Sequence, residues 1–154
     1  MRINTQRFGE IEIDPETVIE MAVGPFGFET LREFCLIEHA PDCDFRWLQS
    51  LSDPGLAFVV VDPMQFFPDY EVEINDDDAR DLDLESPSDA AVLSIVTIPG
   101  EIGETSVNLL GPIIINAASR KAKQVILQND AYMMRHRLLD SPALARPPAA
   151  ETSG

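Results

Sequence analysis

One stretch near the middle of the chain passes from a continuous apolar run into a strict alternation of apolar and acidic residues. The run covers residues 56–61 and ends at Asp62-Pro63. An apolar run of this length, closed by a turn signal, predicts a strand buried on both faces. Residues 69–74 then alternate, with Tyr70, Val72 and Ile74 on one side and Asp69, Glu71 and Glu73 on the other. We therefore expect a half-buried strand whose outer face carries only negative charge.

The rest of the chain contains many short strand patterns and few helical ones. Residues 2–5 and 10–13 predict a hairpin, and further strands are predicted over 34–38, 45–51, 90–98, 106–110, 112–116 and 123–128. A short helix is predicted over 75–84, residues 29–33 fit one helical turn, and residues 132–138 fit either a strand or a helix. This pattern predicts a mostly β fold with one or two short helices, arranged as an antiparallel barrel or sandwich.

The length of 154 residues predicts one domain, which we place at residues 1–139. Residues 140–154 are rich in proline and alanine and are expected to form a disordered tail. No segment approaches the ~20 apolar residues that cross a bilayer, and no apolar signal core follows the N-terminus. Two cysteines are too few for a disulfide framework, so a reduced, cytoplasmic protein is expected.

Negative charge is the strongest compositional feature of the chain. The formal net charge is −16, and residues 1–110 alone carry −19, whereas residues 111–146 carry +4. Such a charge repels nucleic acid and anionic membranes and speeds encounters with basic partners. We therefore expect no direct nucleic-acid or membrane binding, and we expect the small basic section to pair with acids elsewhere in the chain.

Two groups of residues contain possible metal ligands, but neither has the spacing that a metal site needs. Cys35, His39 and Cys43 would share a helix face, but Pro41 lies inside that span and the flanking residues predict strands. The acidic residues 76–85 put Arg80 where a calcium loop needs an oxygen ligand. No phosphate-binding loop, nucleophile elbow or zinc-protease motif is present. We therefore predict no metal, no cofactor and no catalytic residues, and we expect Cys35 to be a core residue.

Several segments resemble one known family in order and spacing across residues 1–138. The matching residues are Phe8-Gly9-Glu10-Ile11, Gly27-Phe28-Glu29, Trp47-Leu48-Gln49-Ser50-Leu51, Leu56-Ala57-Phe58-Val59-Val60, Asp62-Pro63, Phe67-Pro68-Asp69-Tyr70-Glu71, Val107-Asn108-Leu109-Leu110, Pro112-Ile113, Lys123-Gln124-Val125-Ile126-Leu127, Tyr132 and Arg135-His136. With these residues the chain is similar to the FliW flagellar assembly factors. Two positions depart from the family pattern. The family's proline before the Gly-Phe-Glu motif is displaced here, as Pro25, and Ala122 replaces the glycine of a basic turn.

The resemblance implies a small β-barrel-like protein that is not an enzyme. It implies binding to newly made flagellin in the cytoplasm. It further implies that the free protein, expected to be a monomer, binds and antagonises CsrA, a dimeric RNA-binding repressor of flagellin translation. An acidic adaptor of the same fold for other basic proteins stays an alternative, and so does an enzyme that uses a divalent metal at the acid cluster.

The partner-binding surface is predicted where the buried strand gives way to the acidic one. Interface energy comes mainly from apolar anchors, and charge sets the association rate and selectivity. The predicted anchors are Phe66, Phe67, Tyr70 and Trp47, and the predicted rim charges are Asp69, Glu71 and Glu73. Aromatic residues of this kind are also frequent in protein cores, so burial of the anchors is the competing expectation.

Overall fold

The computed structural model describes residues 1–38, 45–97, 105–128, 131–133 and 135–137. Its strands are β1 (Arg2–Thr5), β2 (Gly9–Glu12), β3 (Ile19–Met21), β4 (Glu33–Glu38), β5 (Arg46–Ser50), β6 (Ala57–Val61), β7 (Ala90–Thr97), β8 (Ser106–Val107), β9 (Ile113–Asn116), β10 (Lys121–Gln124) and β11 (His136–Arg137). The helices are α1 (Pro63–Phe66) and α2 (Asp76–Asp81), and short 3-10 turns cover Pro15–Thr17 and Pro87–Asp89.

Seven strands close into a barrel in the order β7, β6, β5, β4, β3, β10, β9, with β9 pairing back to β7. Six of these pairings are antiparallel, whereas β3 and β10 run parallel and pair only at Glu20 with Lys121 and at Met21 with Ala122. The hairpin β1–β2 forms a separate sheet, and β8 and β11 extend from β7. The predicted mostly β, barrel-like fold is confirmed, with one parallel seam that the sequence pattern did not predict.

The barrel wall is buried on both faces at β6 and β9, and each face contributes to a separate apolar cluster. Within β6, Val60 belongs to one cluster and Val61 to the other, and both side chains are fully buried. Ile113 and Ile114 of β9 divide between the clusters in the same way. Two-sided burial of the apolar run is therefore confirmed at its end, while residues 57–59 are half-buried.

The predicted strand over residues 69–74 is wrong, although its alternation is real. Tyr70 is buried, Val72 and Ile74 are half-buried, and the acids between them are exposed. The segment pairs with none of the strands in the described part of the chain, and both edges of the preceding strand β6 are occupied by β5 and β7. Helix α1 turns the chain away from the sheet, starting where Asp62 accepts a hydrogen bond from the Met64 amide at 3.0 Å.

Smaller differences concern turns and strand ends. Residues 29–33 form no helical turn, since Glu33 already starts β4. The strand expected over 123–128 covers Lys121–Gln124, because the turn lies at 117–119 and ends in Arg120 with φ +68°. Ala122 lies within this strand without positive φ, so its replacement of the family's glycine requires no special turn. The helix near 75–84 is confirmed as α2, and part of 132–138 is the strand β11.

Candidate partner-binding surface

The acidic segment, residues 67–75, is held against the barrel by aromatic side chains at its start. Phe66 and Tyr70 are 6% and 5% exposed and belong to the same apolar cluster. The Tyr70 hydroxyl donates a hydrogen bond of 2.6 Å to the Leu109 carbonyl, and burial raises the pKa of Tyr70. These contacts fix the chain on both sides of Phe67, which is half-buried and packs on the same cluster.

A second tyrosine holds the segment from outside. Tyr132 packs against Tyr70 with ring centroids 4.7 Å apart and an interplanar angle of 60°, a favourable edge-to-face geometry. Its hydroxyl oxygen accepts a hydrogen bond from the Glu71 amide at 2.8 Å. An extended segment without a strand partner is thereby held in place. Tyr132 was part of the family resemblance, but its position beside Tyr70 could not be read from the sequence.

The carboxylates of Asp69, Glu71 and Glu73 point into solvent. All three residues are exposed, and none forms an ion pair with a cation in the part of the chain that the structure describes. Alternating burial explains this arrangement, because Tyr70, Val72 and Ile74 take the inner positions. Three negative charges thus lie within five consecutive residues on the solvent side of the segment.

The basic section pairs with acids of α2 and of the turn after it, and not with the acidic segment. Lys123 contacts Asp78 at 2.6 Å and Asp81 at 2.7 Å, and Lys121 contacts Asp83 at 2.6 Å. Hydrogen bonding to Asp78 and then Asp81 raises the pKa of Lys123, and its hydrogen bond to Asp81 lowers the pKa of that carboxyl. The expected pairing of basic and acidic sections is confirmed here.

The predicted anchors therefore occupy different environments. Phe66 and Tyr70 are buried in this conformation and support the surface from beneath, while Phe67 is partly accessible. Trp47 lies on β5 beside the first hairpin, with the Arg7 guanidinium 4.2 Å above its ring and Phe8 edge-on at 6.0 Å. Their contact with a partner stays a prediction, as it does for the three rim carboxylates.

One important residue was missed by sequence reasoning, namely Gln124. Its side chain is buried, donates a 2.7 Å hydrogen bond to the Gly111 carbonyl and accepts one of 2.8 Å from the Phe26 amide. This single amide therefore joins β10 to a loop about 100 residues earlier in the chain. A lone glutamine in a strand pattern carries no signal of such a role.

The structure places some of the residues that were considered as metal ligands. Within the described ranges, no three His, Cys, Asp or Glu side chains come together as a metal site. Cys35 is 2% exposed in β4, so its expected place in the core is confirmed. His39, Cys43 and the tail at 140–154 lie outside the described residues. Among those described, no helix is long and apolar enough to cross a membrane.

Comparisons with known proteins agree on one family. The sequence model of the FliW protein family matches residues 2–138. The flagellar assembly factor FliW of Thermoanaerobacter pseudethanolicus is 43% identical over 91% of this chain and 94% of its own length. That of Treponema denticola is 40% identical over 90% of this chain and 94% of its own. A crystal structure of the flagellar assembly factor FliW superposes with a TM-score of 0.81 at 35% identity, covering 90% of this chain and 96% of that chain.

Proposed function

Because this chain belongs to the FliW family and so has a role in flagellar assembly, we propose that it is a non-enzymatic, protein-binding regulator in the cytoplasm. In this proposal it binds flagellin, and when free it binds and antagonises CsrA, which allows flagellin to be translated. The free protein is a monomer in this scheme. The family resemblance supplies the names of both partners.

The observation that carries the proposal is the group of exposed carboxylates at Asp69, Glu71 and Glu73. A repressor that holds RNA phosphates needs cationic surface, so it is attracted to this segment while RNA is repelled. The tyrosine contacts hold the segment before binding, so little conformational entropy is lost when a partner docks. Phe67, at the start of the segment, is the partly accessible apolar group that can slow dissociation.

Binding of purified flagellin and purified CsrA, with affinity measured by calorimetry and association rate by stopped-flow fluorescence, tests the proposal. A charge reversal at two positions, Glu71→Lys with Glu73→Lys, should slow association and flatten its dependence on salt, because both effects arise from long-range attraction. The melting temperature should change little, since both side chains are exposed. The matched control is Glu16→Lys with Glu85→Lys, which changes the net charge equally at two other exposed positions.

Each outcome separates the proposed function from its alternatives. If the chain binds neither flagellin nor CsrA, the proposal is refuted and an adaptor for other basic proteins is favoured. Equal loss of association in the double variant and its control would show that total charge matters and the segment does not. A large loss of thermal stability in Glu71→Lys with Glu73→Lys would show that these residues serve the fold.

A further inference from the structure

A groove of about 830 Å³ lies beside the parallel seam of the barrel, separate from Asp69, Glu71 and Glu73. Its lining comes from β3 and the loop after it, the start of β4, the end of α2, and β10. Strand β3 ends at Met21 and so pairs with β10 at only two positions, and Ala22 and Lys123, just beyond this pairing, both line the groove. A cavity of this size accommodates several side chains of a ligand.

The floor and one rim of the groove are apolar. Met21, Leu82 and Ala122 line it and are 1%, 1% and 4% exposed, so they form a closed floor. Val23 and Phe26 line it as well but are 60% and 45% exposed. Large apolar side chains that are exposed together beside a concavity are typical of an interaction site.

The backbone of the exposed rim is held by contacts within the protein. Gly24 donates a hydrogen bond of 3.0 Å to the Glu29 carbonyl, and Phe28 packs edge-on against Phe58 with centroids 5.3 Å apart. The Phe26 amide is held by the side chain of Gln124 at 2.8 Å. A preformed apolar site loses little entropy on binding, which favours affinity.

The lining of the groove also contains two neighbouring glutamates. Glu20 and Glu33 lie directly across from each other on β3 and β4, and both are exposed and line the groove. Like charges in this cross-strand position are destabilising. Lys123 is ion-paired with Asp78 and Asp81, and Lys121 is ion-paired with Asp83. Lys121 also lies across from Glu20 on the parallel seam and attracts it, so Glu33 is the less compensated of the two glutamates. Arg32 is the one lining cation outside an ion pair among the described residues. A positive charge placed between the two glutamates would relieve their repulsion.

From this complementarity we infer that the groove binds a protein segment in which a large apolar side chain lies next to a lysine or arginine. The apolar side chain fills the space between the floor and Val23 and Phe26. The cation pairs with Glu20 and Glu33. The inference rests on the proposed function, since the segment belongs to a partner protein, but it assigns apolar anchoring to a surface other than the acidic segment.

Two variants test the groove by different physical means. Ala22→Trp fills the space without changing charge, because Ala22 is exposed and lines the groove. Its matched control is Asn4→Trp, an exposed position on the first hairpin. Glu33→Lys reverses one rim charge, and Glu16→Lys is its control. Circular dichroism verifies that each variant retains the fold, and calorimetry with purified flagellin and with purified CsrA measures binding.

We expect Ala22→Trp to weaken binding of at least one of the two proteins by tenfold or more, and Glu33→Lys by threefold or more at low salt. Both controls should bind within twofold of the wild type. If the wild type binds neither protein, the proposed function fails. If it binds while Ala22→Trp and Glu33→Lys both remain within twofold, the groove inference fails and the proposed function survives.

Two other occupants are separated by the same variants. A dimer in sedimentation that Ala22→Trp converts to a monomer would assign the groove to a second copy of this chain and overturn the inference. A rise in partner affinity when residues 141–154 are deleted, absent in Ala22→Trp, would assign it to this chain's own C-terminal residues and also overturn the inference.

Discussion

Replacement of Tyr70 by phenylalanine tests how the acidic segment is held. The change removes one hydroxyl and keeps the ring that packs in the core. The lost bond is the one of 2.6 Å from the Tyr70 hydroxyl to the Leu109 carbonyl. Leu109 is 1% exposed, so water does not readily replace the missing donor. Tyr132→Phe is the comparison, because its hydroxyl bonds the amide of the exposed residue Glu71.

The two variants should differ in their cost to the free energy of unfolding. A buried carbonyl left without its partner costs about 1–3 kcal/mol, which for a chain of this size lowers the melting temperature by about 2–12 °C. The exposed amide of Glu71 regains a hydrogen bond from water, so Tyr132→Phe should cost less than about 1 kcal/mol.

Urea denaturation of the wild type and both variants measures the difference. Trp47 is the single tryptophan of the chain, lies on β5 of the barrel and gives a fluorescence signal for its unfolding. A Tyr70→Phe variant as stable as the wild type would refute the reasoning, because the buried bond would then contribute nothing. Equal losses in the two variants would refute it as well, since burial would not distinguish them.

Three further predictions concern backbone geometry and pH. Gly24→Ala should lower the free energy of unfolding by about 1–3 kcal/mol in thermal unfolding, because its Cβ would overlap the backbone oxygens of Phe28 and Leu31. Arg120→Gly should raise it by up to about 1 kcal/mol, since Arg120 has φ +68°; an unchanged melting temperature would contradict this. Burial raises the pKa of Tyr70 in the folded state. The contribution of this group to the free energy of unfolding should therefore be fully present below the pKa of an unfolded tyrosine, near 10, and should fall above it by up to about 1.4 kcal/mol per pH unit. Urea titrations between pH 9 and 11 should show a shallower fall in Tyr70→Phe.

Most of the strands and helices could be predicted from the sequence because alternation and helix caps involve residues that are close together in the chain. Alternation and β-branched residues placed the first hairpin, β4 to β7 and β9 within a few residues of their observed bounds. Asn75 predicted the start of α2, where its side chain accepts a hydrogen bond from the Asp78 amide at 2.7 Å. Each of these depends on neighbours in the chain, which one sequence displays directly.

Features that depend on distant pairing were not predictable in the same way. Residues 69–74 have the alternation of a strand, but their backbone finds no sheet edge, which only the barrel closure reveals. Gln124 and Tyr132 act on residues about 100 and 60 positions away, so no local spacing indicates their partners. The groove likewise lies where the pairing of β3 with β10 ends, and that pairing joins residues about 100 positions apart.

The parallel pairing of β3 with β10 determines how late in synthesis the barrel can close. During synthesis β3 leaves the ribosome about 100 residues before β10. The barrel cannot close until β10 has been made and has paired with β3. During that interval β3 has an open edge that invites pairing with other chains. A chain that stops before residue 121 lacks β10 and therefore keeps the open edge permanently, and we expect such fragments to aggregate. Only a chain translated beyond β10 can close the barrel and cover the free edge of β3.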